Sequence, residues 1–108
     1  MKLTMFSDPG HAWLFVSSAQ LYTLRLTINS LTRWSYYDRA GVYAEEDCDA
    51  FLVIAAHKRI VEDGPPAGRR KLTIDYVDYE EESAYIRGLP RCGVYDQILK
   101  NPKIARRA

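Results

Sequence analysis

Cysteine is scarce in this chain, long apolar runs are missing and net charge is close to zero, and each shortage removes a class of function. Cys48 and Cys92 are the only cysteines, with neither CxxC spacing nor the density of a disulfide scaffold, so a disulfide-stapled secreted domain and a zinc ribbon are excluded. No apolar run approaches the roughly 20 residues needed to cross a bilayer, and no membrane partner is expected. The start, "MKLTMFSDPG", has one lysine and only a short apolar stretch before a turn. That is not a secretory signal, so the expected compartment is the cytoplasm. A net charge of +1 makes direct nucleic-acid binding an unlooked-for property. Internal repeats, low-complexity segments and established catalytic signatures are absent as well.

What is present is an ordinary globular composition, 47% hydrophobic and 27% charged, sufficient for a core. At 108 residues one domain is expected. So short a chain is marginal on its own, and a homodimer or another partner would help it. Charge is unevenly spread. Residues 1–51 hold four basic and six acidic side chains, and residues 52–108 hold eleven and eight. The final "KNPKIARRA" has four positive charges and no negative one, which reads as a solvated terminus. Contact with phosphate through Arg69, Arg70, Lys71 and this tail is the minor alternative, and it predicts strong salt dependence.

Along the chain, "KLTMFS" predicts a strand ended by Asp8-Pro9-Gly10, a tight turn. "AWLFVSS" predicts a second strand, with Trp13 and Phe15 on one face and Leu14 and Val16 on the other. Ser17 and Ser18 are candidate caps for a helix over about Ala19 to Leu26, with Leu21, Leu24 and Leu26 on its buried side. "RWSYY" and "VYAEE" predict a hairpin around "DRAG". The strongest helix pattern covers residues 49–62. It is ended by "DGPP", with Gly64 expected in the left-handed cap conformation. "KLTIDYVDY" alternates Leu72, Ile74 and Tyr76 against Thr73, Asp75, Val77 and Tyr79, a strand with one wet face. "EEESAYIRGLPRCG" reads as irregular, and "VYDQILK" as a last helical turn or two. The order β-β-α-β-β-α-β predicts an α+β fold, a small antiparallel sheet with helices packed on one face. Residues 1–87 would form the domain and 88–108 a C-terminal extension with the basic tail.

Two polar clusters invite a chemical reading. "EEDCD" at 45–49 packs four carboxylates and a thiol into five residues. It lies where a helix begins, so Asp47 and Asp49 are explained as cap residues facing the helix dipole. "SDPGH" is explained as a turn. The chemical alternative is a small metal-assisted or acid–base hydrolase using Asp8, His11, Asp47 and the other carboxylates of the second cluster. It requires His11 to meet a carboxylate that orients it. No metal and no cofactor are expected. His11, Cys48, His57 and Cys92 are single donors without an i, i+3 or i, i+4 pair, and His57, beside Lys58 and Arg59, is expected at the solvent boundary.

Eight tyrosines and two tryptophans are many for this length. Several stand beside charges: Arg33, Trp34, Tyr36, Tyr37, Arg39 and Tyr43, then Tyr76, Tyr79 and Tyr85. Tyrosine, tryptophan and arginine dominate interface hot spots. An acidic strip, Asp75, Asp78, Glu80, Glu81 and Glu82, alternates with Tyr76 and Tyr79; it could engage a basic groove or merely protect a sheet edge. Candidate partner-binding residues are therefore Tyr36, Tyr37, Tyr43, Tyr76 and Tyr79, with those five carboxylates steering encounter.

"SDPGHAWLFV", "WSYYDRAGVYAEEDCDA" and the following helix, about residues 5 to 62, resemble a group of short uncharacterised proteins encoded by phages, prophages and plasmids. The resemblance implies a mobile-element setting, where small domains of this kind often serve as accessory or anti-defence factors by binding a host complex. The leading expectation is a non-enzymatic binding protein occupying a surface of a host protein or ribonucleoprotein, such as a CRISPR-type defence complex.

Overall fold

In the computed structural model, which describes residues 1–65 and 71–93, the first two alternating segments form strands β1 (Lys2–Ser7) and β2 (Ala12–Ser17). They pair as an antiparallel hairpin across the DPGH turn, with Phe6 opposite Trp13 and Thr4 opposite Phe15. Strands β3 (Tyr36–Tyr37) and β4 (Gly41–Glu45) form the second hairpin, and β4 pairs antiparallel with β2. β5 (Thr73–Asp78) completes a sheet of order β3-β4-β2-β1-β5. The α+β fold with a small antiparallel sheet is thus observed, with one refinement. β5 runs parallel to β1, and hence to β4. Parallel strands need a crossover, and helix α2 (Asp49–His57) supplies it between β4 and β5.

Strand alternation sorts the side chains as expected. Leu3, Leu14, Val16, Val42 and Ala44 form one face. They pack with Leu21 and Leu24 from the segment of α1 (Ser18–Thr23) and with Ala50, Val53 and Ala56 of α2. Trp13, Tyr36 and Tyr43 form the other face, partly covered by Ile86 of a short helix α3 (Ala84–Arg87) that arises where irregular chain was expected. The chain just beyond α3 joins the fold: the Tyr37 N–H donates to the Pro90 carbonyl at 3.0 Å, and Cys92 is wholly buried in the main core. The expected "VYDQILK" helix, Arg69, Arg70 and the basic tail lie outside the described residues.

α1 starts where expected, because Ser17 accepts from the Gln20 N–H while the Gln20 side chain accepts from the Ser17 N–H, a capping box. It stops three residues early. Arg25 adopts a left-handed φ of 57°, and the Leu26 N–H returns to the Leu21 carbonyl at 2.9 Å. That is the helix-ending geometry usually given to glycine. Glycine is indispensable elsewhere: a Cβ on Gly41 would lie 2.0 Å from the Val16 carbonyl oxygen. Gly64 is not left-handed as expected; a Cβ there would meet the Ile60 carbonyl oxygen at 2.1 Å, so close backbone approach is what requires it.

The helix expected over 49–62 is α-helical to His57 and continues as a π-helical turn over Lys58–Glu62. A π turn aligns residue i with i+5, and two pairs exploit this. Lys58 Nζ meets Asp63 Oδ1 at 3.1 Å, and Glu62 Oε2 lies 3.7 Å from His57 Nδ1. His57 is not at the solvent boundary: it is fully buried, and neither ring nitrogen has a hydrogen-bond partner among the described residues. Burial, aided by the nearby N-terminal charge, holds the imidazole below its ordinary value of 6.5 despite Glu62.

Two stability predictions follow from these helices. Arg25→Gly relieves the left-handed strain and should raise stability by about 0.5–1 kcal/mol in urea unfolding. His57 is bound more weakly to its proton when folded than when unfolded. Its contribution is therefore complete above about pH 6.5 and declines as pH falls below that. Thermal unfolding followed by circular dichroism from about pH 7.5 to 5 should show this decline, and His57→Leu should flatten it.

Candidate functional site

The DPGH loop is built around one carboxylate. Asp8 Oδ1 accepts from the Gly10 and His11 N–H groups at 3.0 and 2.9 Å, and the Asp8 N–H donates to the His11 carbonyl at 2.8 Å. From the far end of the sequence, the Ser83 N–H donates to Oδ2 at 3.0 Å. Arg87 closes a two-pronged bridge, Nε to Oδ2 and Nη2 to Oδ1, both at 2.9 Å. The Arg87 guanidinium, with these N–H groups, outweighs burial and holds the Asp8 carboxyl far below the usual carboxylate range. Asp8 is ionised and fully engaged, so it anchors structure and has no lone pair to spare as a base.

The EEDCD segment divides its carboxylates differently from the expectation. The residue before α2 is Cys48, which makes no side-chain cap, and Asp49 does not cap the helix either. Asp49 is buried, and its Oδ2 accepts from the Thr32 N–H at 2.9 Å, the Thr32 hydroxyl at 2.8 Å and the Ser35 hydroxyl. Glu45 does the expected work of Asp47 and Asp49: its Oε2 accepts from the N–H groups of Asp47 and Cys48, both at 2.9 Å. Ser35 Oγ in turn accepts from the Glu45 N–H at 2.9 Å. Asp47 and Glu46 remain exposed.

The fold brings both clusters to one cleft of about 350 Å³. His11, Trp13, Trp34 and Tyr36 give it aromatic lining; Glu45, Asp47 and Cys48 line it too, as do Arg87 and Arg91. Guanidinium groups lie over the rings: Arg87 is 5.6 Å from the Trp13 centroid, Arg91 is 5.2 Å from that of Tyr36, and Arg33 is 4.9 Å from that of Trp34. Arg91 is held by donating from Nη1 to the Arg33 carbonyl at 3.2 Å. Trp34 remains 50% exposed. Glu45, Glu46 and Asp47 can each bring one oxygen within 4.8 Å of the others, a donor set that suits a hard divalent cation.

Among the described residues, the His11 ring makes no hydrogen bond to Asp8, Glu45 or Asp47; its neighbour is Trp13, at 6.0 Å between ring centres. Desolvation and the nearby Glu45, Asp49 and Asp47 push the Cys48 thiol up, keeping it a thiol rather than a nucleophilic thiolate. The cleft therefore has surfaces for stacking and charge pairing, but its base lacks an orienting carboxylate.

The candidate binding tyrosines do not share one surface. Tyr36 and Tyr43 are buried on the second face, Tyr37 is half-buried against the main core, and Tyr76 and Tyr79 are exposed at β5, the opposite edge of the sheet from β3. The Tyr43 and Tyr85 hydroxyls both donate to Asp38 Oδ2, at 2.9 and 2.7 Å. Tyr79 stacks on Phe6 at 6.0 Å. In the acidic strip, Asp75 pairs with Lys2 at 3.0 Å and Asp78 accepts from the Ser7 hydroxyl, while Glu80, Glu81 and Glu82 are exposed. No sequence pattern marks Trp13, Arg87 or Arg91 as site residues. No local pattern marks Arg87 as the partner of an aspartate 79 positions away.

No protein-family model matches this chain, and no curated protein or solved structure does either. Among the described residues no helix is long and apolar enough to cross a membrane.

Asp8→Ala should cost about 2–3 kcal/mol in urea unfolding, the low end for breaking a buried ion pair because Arg87 keeps partial access to water. The Asp8 carboxyl is depressed below its ordinary 3.8 by folding, so its contribution is complete above about pH 4 and lost below it. The wild-type chain should therefore lose stability on acidification below that point more steeply than Asp8→Ala.

Proposed function

We propose that this protein is a non-enzymatic binding protein whose cleft receives a protruding side chain of a macromolecular partner. The observation that carries this reading is the set of three arginine–aromatic stacks around a half-open cleft. Tryptophan, tyrosine and arginine supply most of the energy in measured interfaces, above all in pockets that water can be driven from. Trp34 is half-exposed and held by Arg33, so it offers a flat anchor at small entropic cost. The resemblance noted above favours a host protein or ribonucleoprotein as partner, with inhibition of a defence complex as the biological outcome.

The hydrolase reading keeps one observation in its favour, since His11, Asp47 and Cys48 line the same cleft. Against it stand the saturated Asp8 carboxylate and the un-oriented His11 ring.

Affinity capture from a bacterial lysate with wild-type and Trp34→Ala baits separates the two. The binding reading expects a stoichiometric, nuclease-resistant partner on the wild type. Its affinity should fall about 30-fold for Trp34→Ala, a hot-spot loss near 2 kcal/mol, with the circular dichroism spectrum unchanged. A partner held equally by both baits removes the cleft from the interface. A hydrolytic activity lost on His11→Ala would install the second reading.

A further inference from the structure

We infer that the outer face of α2 is covered by the chain's own residues 94–100, docking as an amphipathic helix across Phe51, Leu52 and Ile54. α2 is apolar all round: from Ala50 to Ala56 it holds no charged or polar side chain. Ala50, Val53, Ala56 and His57 are buried, yet Phe51 is 74% exposed and Leu52 and Ile54 are each 38% exposed. A surface helix normally carries charged residues on its outer side, and a helix apolar on every side is a buried one. Among the described residues nothing supplies that cover.

Gly93, the last described residue, sits beside the start of α2. Cys92 before it is wholly buried in the main core, and its N–H donates to the Ser35 carbonyl at 2.8 Å. Burial, and then the nearness of Asp49, push the Cys92 thiol up to about 12. Gly93 has a left-handed φ of 71°, and a Cβ on it would lie 3.0 Å from both the Leu31 carbonyl oxygen and the Arg33 nitrogen. That segment is tied to the first residue of α2, since Asp49 accepts from the Thr32 N–H and hydroxyl. Leu52 neighbours Asp49 on the helix surface, three residues along. The chain after Gly93 therefore sets out beside the uncovered side chains.

Its sequence fits them. Val94, Tyr95, Ile98 and Leu99 recur at i, i+1, i+4 and i+5, one stripe of a helix, with Asp96, Gln97 and Lys100 on the other side. Asn101-Pro102 stops the pattern, because the residue before proline is held out of the helical region. Residues 94–100 would rise about 10 Å as a helix, more than the roughly 5 Å of axis between Phe51 and Ile54. So short a helix forms in water only against a surface, as α3 does on the sheet. Tethering selects this occupant over a second copy or a separate protein. A segment joined by a short link meets its site at an effective concentration on the order of millimolar, above that of a free partner. Phe51, Leu52 and Ile54 do not line the proposed cleft, so the two surfaces are separate.

Hydrogen–deuterium exchange of the full chain, read by mass spectrometry, tests the inference. In the wild type, amides of residues 94–100 should exchange at least about tenfold more slowly than in a free peptide. Phe51→Glu should abolish that protection and leave the amides of β1, β2 and β4 unchanged, because the Phe51 side chain lies largely outside the core. Should Phe51→Glu loosen those strands, Phe51→Ala decides by the same readout. Ile98→Glu should remove the protection from the other side and raise binding of the apolar dye ANS several-fold as α2 is bared. Wild-type amides at 94–100 exchanging at the free-peptide rate overturn the inference, as does protection that survives the change at Phe51. Protection that disappears on dilution, together with a dimer in sedimentation equilibrium, would assign the face to a second copy and overturn it too.

Discussion

The carboxylate of Asp8 ties together parts of the chain that local structure alone would leave apart. It closes the turn of the first hairpin through the N–H groups of Gly10 and His11, and it grips Arg87 and the Ser83 N–H at the start of α3. A four-residue helix has no stability of its own in water. α3 persists because Ser83 caps it, Asp8 holds both its ends and Ile86 is buried on the sheet. Once α3 is in place, Arg87 lies over Trp13, Tyr85 reaches Asp38 at the turn between β3 and β4, and the second face of the sheet is partly closed.

The same economy governs the other acidic groups. Asp49 gathers Thr32 and Ser35, and Asp38 gathers Ala40, Gly41, Tyr43 and Tyr85. Burial alone would raise the Asp38 carboxyl, but the two tyrosine hydroxyls and the two N–H groups outweigh it and hold the group below its ordinary value. Carboxylates committed to so many donors stabilise loops that carry little regular structure. The cleft formed between them is left with aromatic rings, guanidinium groups and the exposed Asp47, a lining suited to recognition.

Connectivity decides the remainder. Because α2 carries the chain from β4 across β2 and β1, β5 enters parallel at the outer edge. The π turn after His57 is part of that crossing, and it sets Glu62 beside a buried imidazole that has no hydrogen-bond partner among the described residues. The molecule thus has two unlike surfaces, a mixed-charge cleft and an acidic strand edge, separated by the width of the sheet.

Local physics made much of this legible in advance. Alternation placed Trp13 and Phe15 opposite Leu14 and Val16, turn chemistry marked both hairpins, and Ser17 marked the start of α1. These depend on neighbours within a few residues, which the sequence by itself determines. The fate of each charged group does not. Asp8 and Arg87 are 79 positions apart, Thr32 and Asp49 are 17, and β4 must pair with β2 before EEDC can share a cleft with DPGH. His57 reads as solvent-facing beside Lys58 and Arg59, yet it falls on the same face of α2 as Ala50, Val53 and Ala56, which long-range packing turns into the core. Whether a carboxylate caps a helix, anchors a loop or faces a ligand depends on which donors long-range packing delivers to it. Only the tertiary structure decides that.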